Sequence, residues 1–251
     1  TGSDQQVVRV CVGADLSVSK TAATSFTRTF AWDIDKDVNK TLVKIAQGGS
    51  ATFDYTVSVT HDAGTDSAWL VEGDITVTNP NDWQSVTVDV TDLVNVGGGA
   101  NCVVADGEDA VIPAASGGVP GSKSFKYSCS FTSKPAYSGL NTATASWDKA
   151  AAFTPNGSAS GSAAVSFAAP TTIVDGSVTV VDDKTDPANP VTLGTVSYTD
   201  ASPTLFTYSL TKSGVSGTCT DYTNTASFET SDRELTDQAG QKVTVCVGAA
   251  E

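Results

Sequence analysis

The sequence predicts an all-β protein arranged as two β-sandwich modules in tandem, and three observations predict it. Thr, Ser, Val, Gly and Ala dominate, charged residues are only 17%, and no stretch keeps a helical period, a balance that favours strands. Short runs alternating apolar and polar residues recur along the chain. Three patterns also return in the same order. Val88-Asp89-Val90-Thr91-Asp92 is echoed by Val178-Thr179-Val180-Val181-Asp182, Phe125-Lys126-Tyr127-Ser128-Cys129 by Phe206-Thr207-Tyr208-Ser209-Leu210, and Asn141-Thr142-Ala143 by Asn224-Thr225-Ala226.

Val8, Val10 and Val12 alternate first, then Leu16 and Val18, with Lys20 the next residue in phase. Phe30, Trp32 and Ile34 share a face whose next member is Lys36. Asp33, Asp35 and Asp37 on the other face read as a solvated edge, since a calcium loop needs a turn this segment lacks. Phe53 to Val59 is a clean strand, His61 to Asp66 a turn with a solvated histidine, Trp69 to Val77 a strand, and Asn79-Pro80-Asn81-Asp82 another turn. Val86, Val88 and Val90 lead in phase to Asp92. Residues 95–122 read as loop apart from Cys102-Val103-Val104 and Ala110-Val111-Ile112, and 154–162 as a flexible loop before a strand over Ala164–Phe167.

In Leu140–Trp147, Asn141 shares a face with Ala143, Ala145 and Trp147; in Tyr222–Phe228, Asn224 shares one with Ala226 and Phe228. Both asparagines therefore point inward, where an unpartnered amide costs roughly 1–3 kcal/mol. Ala169-Pro170-Thr171-Thr172 marks a boundary, dividing the chain into an N-terminal strand and linker (1–26), a first module (27–170) and a shorter second module (171–251). The second module has no evident opening strands, and the N-terminal strand is expected to complete it, in its own chain or a neighbour's. Lys242–Ala249 nearly duplicates Val8–Ala14, the pattern of a tandem array cut at a repeat boundary or of a subunit that polymerises head to tail.

A net charge of −14 argues against nucleic acid or an anionic membrane surface as partner. No run is long and apolar enough to span a bilayer, and Thr1-Gly2-Ser3 reads as a mature start or a cloning scar. Five cysteines suggest an oxidising place, extracellular or at the cell surface. With one His and no Cys-x-x-Cys pair, neither zinc nor any other cofactor is expected, and calcium at Asp62, Asp66, Asp182, Asp183 or Asp186 is left open. No nucleophile motif and no diagnostic carboxylate spacing occur, so the expected role is non-enzymatic.

The inward polar residues of the first module are Lys36, Asp92 and Asn141, the equipment for a spontaneous Lys to Asn isopeptide bond. Burial favours neutral amine and acid. The amine can then attack the amide carbon while the acid relays protons and ammonia leaves. The plainer alternative is a buried ion pair beside a hydrogen-bonded asparagine. In the second module Asp182 and Asn224 correspond, with Lys184 or Lys20 as the amine.

The chain resembles the DUF11-type repeat modules of bacterial and archaeal surface proteins, and more closely the tandem β modules of actinobacterial secreted proteins. The resemblance rests on Asp15–Ala22, Phe30–Lys36, Asp74–Pro80, Val90-Thr91-Asp92 and both Asn-Thr-Ala segments. It implies Ig-like sandwiches and Lys to Asn isopeptide bonds. Cys102 with Cys129 and Cys219 with Cys246 are the preferred disulfides; Cys11 is free, paired with Cys219, or paired across subunits. The expected function is a module of a cell-surface stalk, adhesin or filament whose partners are adjacent repeats or copies of itself. The alternative is a carbohydrate- or receptor-binding sandwich using exposed Trp69 or Trp83.

Overall fold

The computed structural model describes residues 2–249; Thr1, the head of the Thr1-Gly2-Ser3 start, lies outside them, as do Ala250 and Glu251. The strands in chain order are β1 (Ser17–Lys20), β2 (Ala23–Thr29), β3 (Trp32–Val38), β4 (Leu42–Ile45), β5 (Ala51–His61), β6 (Thr65–Asn79), β7 (Val86–Val94), β8 (Asn101–Val104) and β9 (Ala110–Ile112). They continue as β10 (Gly121–Ser130), β11 (Ser138–Ser146), β12 (Ser158–Ser166), β13 (Thr172–Val174), β14 (Ser177–Asp182), β15 (Val191–Ser197), β16 (Thr204–Lys212), β17 (Cys219–Thr230) and β18 (Thr236–Val247). One helical turn, α1 (Lys149–Ala152), is capped by the Asp148 side chain.

The chain forms two units, and the boundary at residue 170 is only part of the division. Unit 1 comprises residues 2–27 and 66–172; unit 2 comprises 28–65 and 173–249. The N-terminal strand thus belongs to the first unit, pairing Ser17–Lys20 with Thr78–Ile75 of β6. Residues 32–61, expected to open the first module, build the second. The reason is edge pairing. β5 alternates buried Ala51, Phe53, Tyr55, Val57 and Val59 with polar residues, and it finds β3 on one side and β16 on the other. The missing opening strands of the second module are therefore β3 and β5, and no exchange with the N-terminal strand is needed to complete it.

Unit 1 packs a sheet ordered β2-β6-β10-β8, with β1 also on β6, against a sheet ordered β12-β11-β7-β9. Their inner faces meet in one continuous core, from Trp69, Val71, Ile75 and Val77 through Phe125 to Val86, Val88, Val90, Ala143 and Ala145. The segment read as flexible loop after residue 157 is instead the start of β12. Its Ser, Ala and Gly residues alternate against β11, and they are small because β1 crosses closely: a Cβ on Gly161 would lie 2.3 Å from the Val18 carbonyl oxygen.

Unit 2 packs a sheet ordered β15-β14-β17-β18-β4 against β16-β5-β3. Its apolar interior falls into two clusters, one around Ile34, Val57, Val59, Val178, Val180 and Phe228, the other around Phe53, Tyr55, Val243, Val245 and Val247. Tyr208 packs against both. Cys102–Cys129 joins β8 to β10 in unit 1, Cys219–Cys246 joins β17 to β18 in unit 2, and Cys11 is free and exposed.

Other expectations settle locally. Asp33, Asp35 and Asp37 form the solvated face of β3. His61 is the half-buried last residue of β5, tilted against Trp32 at 5.2 Å between ring centroids, rather than a free loop residue. Trp69 is core, stacked on Phe26 at 4.4 Å, because β6 turns it inward, so it offers nothing to a glycan. Trp83 is half-buried beside an exposed Phe153.

Candidate functional site: two buried lysine, aspartate and asparagine clusters

Each unit buries a Lys, an Asp and an Asn together at its centre, but the lysines are the reverse of those the sequence suggested. In unit 1 Lys20, not Lys36, donates to Asp92, and both side chains are 0% exposed. In unit 2 Lys36 donates to Asp182 at 2.6 Å, again with both side chains 0% exposed. Lys36 cannot serve Asn141, because β3 lies in the sheet β16-β5-β3 of the other unit. Lys184 is not the amine of unit 2 either. It follows Asp182 in a turn, gives its backbone N–H to Asp182 Oδ1 at 2.8 Å, and holds its Nζ 5.0 Å from the Tyr208 ring centroid.

The two clusters arise from one strand geometry used twice. A lysine ends an alternating run, Leu16-Val18-Lys20 on β1 and Trp32-Ile34-Lys36 on β3, and so turns its side chain to the interior. Lys20 stands opposite Ile75 on β6, Lys36 opposite Val57 on β5. In the facing sheet, Asp92 pairs with Ala143 and Asp182 with Ala226, so each asparagine, Asn141 or Asn224, lies two residues along from the aspartate's partner on the same face. Strands β1-β6-β10 over β7-β11 in unit 1 thus correspond to β3-β5-β16 over β14-β17 in unit 2.

Around this shared frame the lining differs. In unit 2 the Tyr208 hydroxyl is the hub: it donates to Asp182 Oδ2 at 2.7 Å, and accepts from Lys36 Nζ at 3.0 Å and from Asn224 Nδ2 at 2.7 Å. Tyr55 stacks on Tyr208 with ring centroids 5.4 Å apart. In unit 1 Tyr127 takes the Tyr208 position but turns its face to the amine, with Lys20 Nζ 3.7 Å from the ring centroid, while its hydroxyl donates to the Thr21 carbonyl oxygen at 2.7 Å. The place beside Asp92 and Asn141 goes to the disulfide sulfur of Cys129, 3.4 Å from Asp92 Oδ2 and 3.9 Å from Asn141 Nδ2. Gly73 occupies the register position of Tyr55; a Cβ there would lie 2.5 Å from the Thr21 carbonyl oxygen.

The electrostatics follow from burial. Removal from water lowers the pKa of both Lys20 and Lys36, against the opposing pull of the carboxylates of Asp92 and Asp182. Burial, with the nearby Asp92 charge, pushes the Tyr127 phenol up to about 12, and burial with the Asp182 hydrogen bond raises Tyr208 further. Asn141 and Asn224 are both 0% exposed, and in each the amide oxygen Oδ1 has no hydrogen-bond partner.

The three tyrosines and Gln241, whose Nε2 donates to the Lys36 carbonyl oxygen at 2.6 Å, were not singled out from the sequence. Their signal was present in the repeated Phe-x-Tyr-Ser pattern, which places Tyr127 and Tyr208 at matching positions. Asp62, Asp183 and Asp186 accept backbone N–H groups of their own turns, and Asp62 and Asp183 also accept those of Ala31 and Thr225. Among the described residues the one grouping of metal-ligand type is Asp92 with Cys102 and Cys129, whose sulfurs are bonded to each other. No family model matches the chain, and no curated protein or solved structure matches it either.

Proposed function

We propose that the chain is an extracellular structural module, of the kind that builds a cell-surface stalk, adhesin or filament, with its two Ig-like sandwiches each tied by a Lys to Asn isopeptide bond, Lys20–Asn141 and Lys36–Asn224. The observation that carries this reading is the repetition: two sites with different linings keep the same buried amine, acid and amide in the same register, with the same amide oxygen orphaned. A buried ion pair is a poor stabiliser for its desolvation cost, so keeping two for packing alone is unfavourable. Shifting one proton from ammonium to carboxylate leaves a neutral amine and a neutral acid, the forms burial favours. The amine nitrogen attacks the asparagine Cγ, the acid supports the developing charge on Oδ1 and passes its proton to the departing NH2, and the new N–H proton returns to the carboxylate. One ammonia leaves per bond. A single turnover suffices, since the product is the crosslink. Two disulfides fit an oxidising location.

Intact-mass spectrometry of the purified, reduced chain tests this. The mass expected is that of the sequence less two ammonia molecules; a mass equal to the sequence would remove the proposal.

A further inference from the structure

The segment from Gln6 to Ala14 copies the strand that closes unit 2. Gln6, Val8, Val10, Cys11, Val12, Gly13 and Ala14 match Gln241, Val243, Val245, Cys246, Val247, Gly248 and Ala249 in order and spacing. The two copies have opposite fates. In β18, Val243 and Val245 are 0% exposed and Val247 is 6% exposed; Val8, Val10 and Val12 are 84%, 81% and 85% exposed, in no sheet. β18 runs antiparallel to β17, setting Cys246 opposite Cys219, and parallel to β4, setting Thr244 to Val247 beside Leu42 to Ile45. The free segment is held by an exposed Arg9–Asp82 ion pair at 2.7 Å, by Ala14 on the Asn81 amide, and by the close approach of Gly13 to the Phe153 carbonyl, with no strand pairing. An exposed pair of this kind contributes about 0–1 kcal/mol.

We propose that residues Gln6–Ala14 are a docking strand for a second copy of this chain, occupying the β18 position of that copy's unit 2, between its β17 and β4, with Cys11 bonded to its Cys219. The register brings more than valines into place. Gln6 takes the position of Gln241, whose amide donates to the Lys36 carbonyl oxygen. Arg9 takes the position of Thr244, directly opposite Asp221, a carboxylate that otherwise pairs with Lys242 at 2.7 Å. Four exposed strand-forming valines next to a cysteine, repeating the valines and cysteine of the last seven residues of β18, describe strand exchange between copies, in which the segment displaces that end of the acceptor's β18. The disulfide forms by exchange with the one the acceptor already holds: the Cys11 thiolate attacks Cys219 Sγ, the Cys219–Cys246 bond breaks, and Cys246 leaves as a thiolate with the displaced β18, so one disulfide forms as one breaks. None of this depends on the isopeptide bonds.

The test uses the full chain, unfolded and reduced, then refolded in a glutathione buffer with excess synthetic peptide of residues 5–14, which competes with the chain's own β18. A parallel refolding uses the same peptide carrying Val8→Asp and Val10→Asp. Peptide mapping is expected to find the native peptide joined to Cys219, rising with peptide concentration and about tenfold above the Asp-bearing peptide. No adduct, equal adducts with both peptides, or an adduct spread over Cys102, Cys129 and Cys246 would overturn the proposal. The same spectra report ammonia loss separately, so failure here is distinct from failure of the crosslinks.

Discussion

Units 1 and 2 place the same three side chains in the same register, yet they pack around them differently. In unit 1 the interior is a single apolar cluster, the lysine is met by the face of Tyr127, and a disulfide sulfur touches the acid and the amide. In unit 2 the apolar interior is two clusters bridged by Tyr208, and the same tyrosine's hydroxyl ties lysine, acid and amide together. The difference shows what is essential. Amine, acid and amide recur, whereas the fourth partner differs: a hydroxyl in one unit, and an aromatic face with a disulfide sulfur in the other. Unit 2, with its core divided, relies more on its polar centre than unit 1 does.

That comparison can be broken at the acid first. Asp182→Ala strands Lys36 in the interior and prevents its crosslink, and is expected to cost unit 2 about 3–5 kcal/mol. Asp92→Ala should cost unit 1 somewhat less, because Lys20 keeps the Tyr127 ring face at 3.7 Å, whereas Lys36 keeps the Tyr208 hydroxyl and ring centroids no nearer than 5.4 Å. Hydrogen exchange of unit 1 and unit 2 peptides through a denaturant series reads the two separately; equal losses would show that the lining is irrelevant.

The disulfides come next. Replacing Cys219 and Cys246 together by Ala should cost about 2–4 kcal/mol and leave both isopeptide bonds intact. The pair Cys102 and Cys129 should cost a similar amount and in addition slow Lys20–Asn141 formation, since Cys129 Sγ contacts both the acid and the amide. Ammonia loss timed during first folding, on chain freshly made by cell-free synthesis, distinguishes them.

A smaller effect is expected at the tyrosines. Tyr208→Phe removes a hydroxyl with three partners, costs about 1–3 kcal/mol, and should slow the unit 2 crosslink. Tyr127→Phe removes one bond to a backbone carbonyl, costs about 0.5–1.5 kcal/mol, and should leave the unit 1 crosslink rate unchanged.

The smallest is an acid sensitivity confined to unit 2. Burial alone would raise the Asp175 carboxyl, but the Arg233 backbone and side chain, with Thr230 and the Asp232 backbone, hold it below its ordinary value of 3.8. A carboxyl depressed in the folded state stabilises fully above its unfolded value, and that stability is lost as pH falls through the folded one. Unit 2 should therefore weaken below about pH 4, and Arg233→Met should flatten that acid limb in pH-dependent melts.

Much of this was legible in the sequence, because a period of two fixes faces. The alternations at Phe53–Val59 and Val86–Val90, the inward Asn141 and Asn224, and the acids at the ends of their valine runs all follow from parity. Both lysine-ended strands were visible as well. What parity cannot fix is which strand joins which sheet. Pairing of β1 with β6, and of β3 with β5, is a long-range choice decided by edges and packing, so parity alone places Lys20 and Lys36 in the wrong modules. The small-residue strand β12 is hidden because Ser, Ala and Gly carry a loop's composition; it is a strand because it pairs along its length with β11, and it is small at Gly161 because β1 passes close there.

The most direct test is a tryptic map of the wild-type chain by tandem mass spectrometry, seeking branched peptides. Lys20 joined to Asn141 and Lys36 joined to Asn224, each one ammonia lighter than its parts, is the predicted result. Linear peptides carrying all four residues unmodified, or a branch between Lys36 and Asn141, would contradict it.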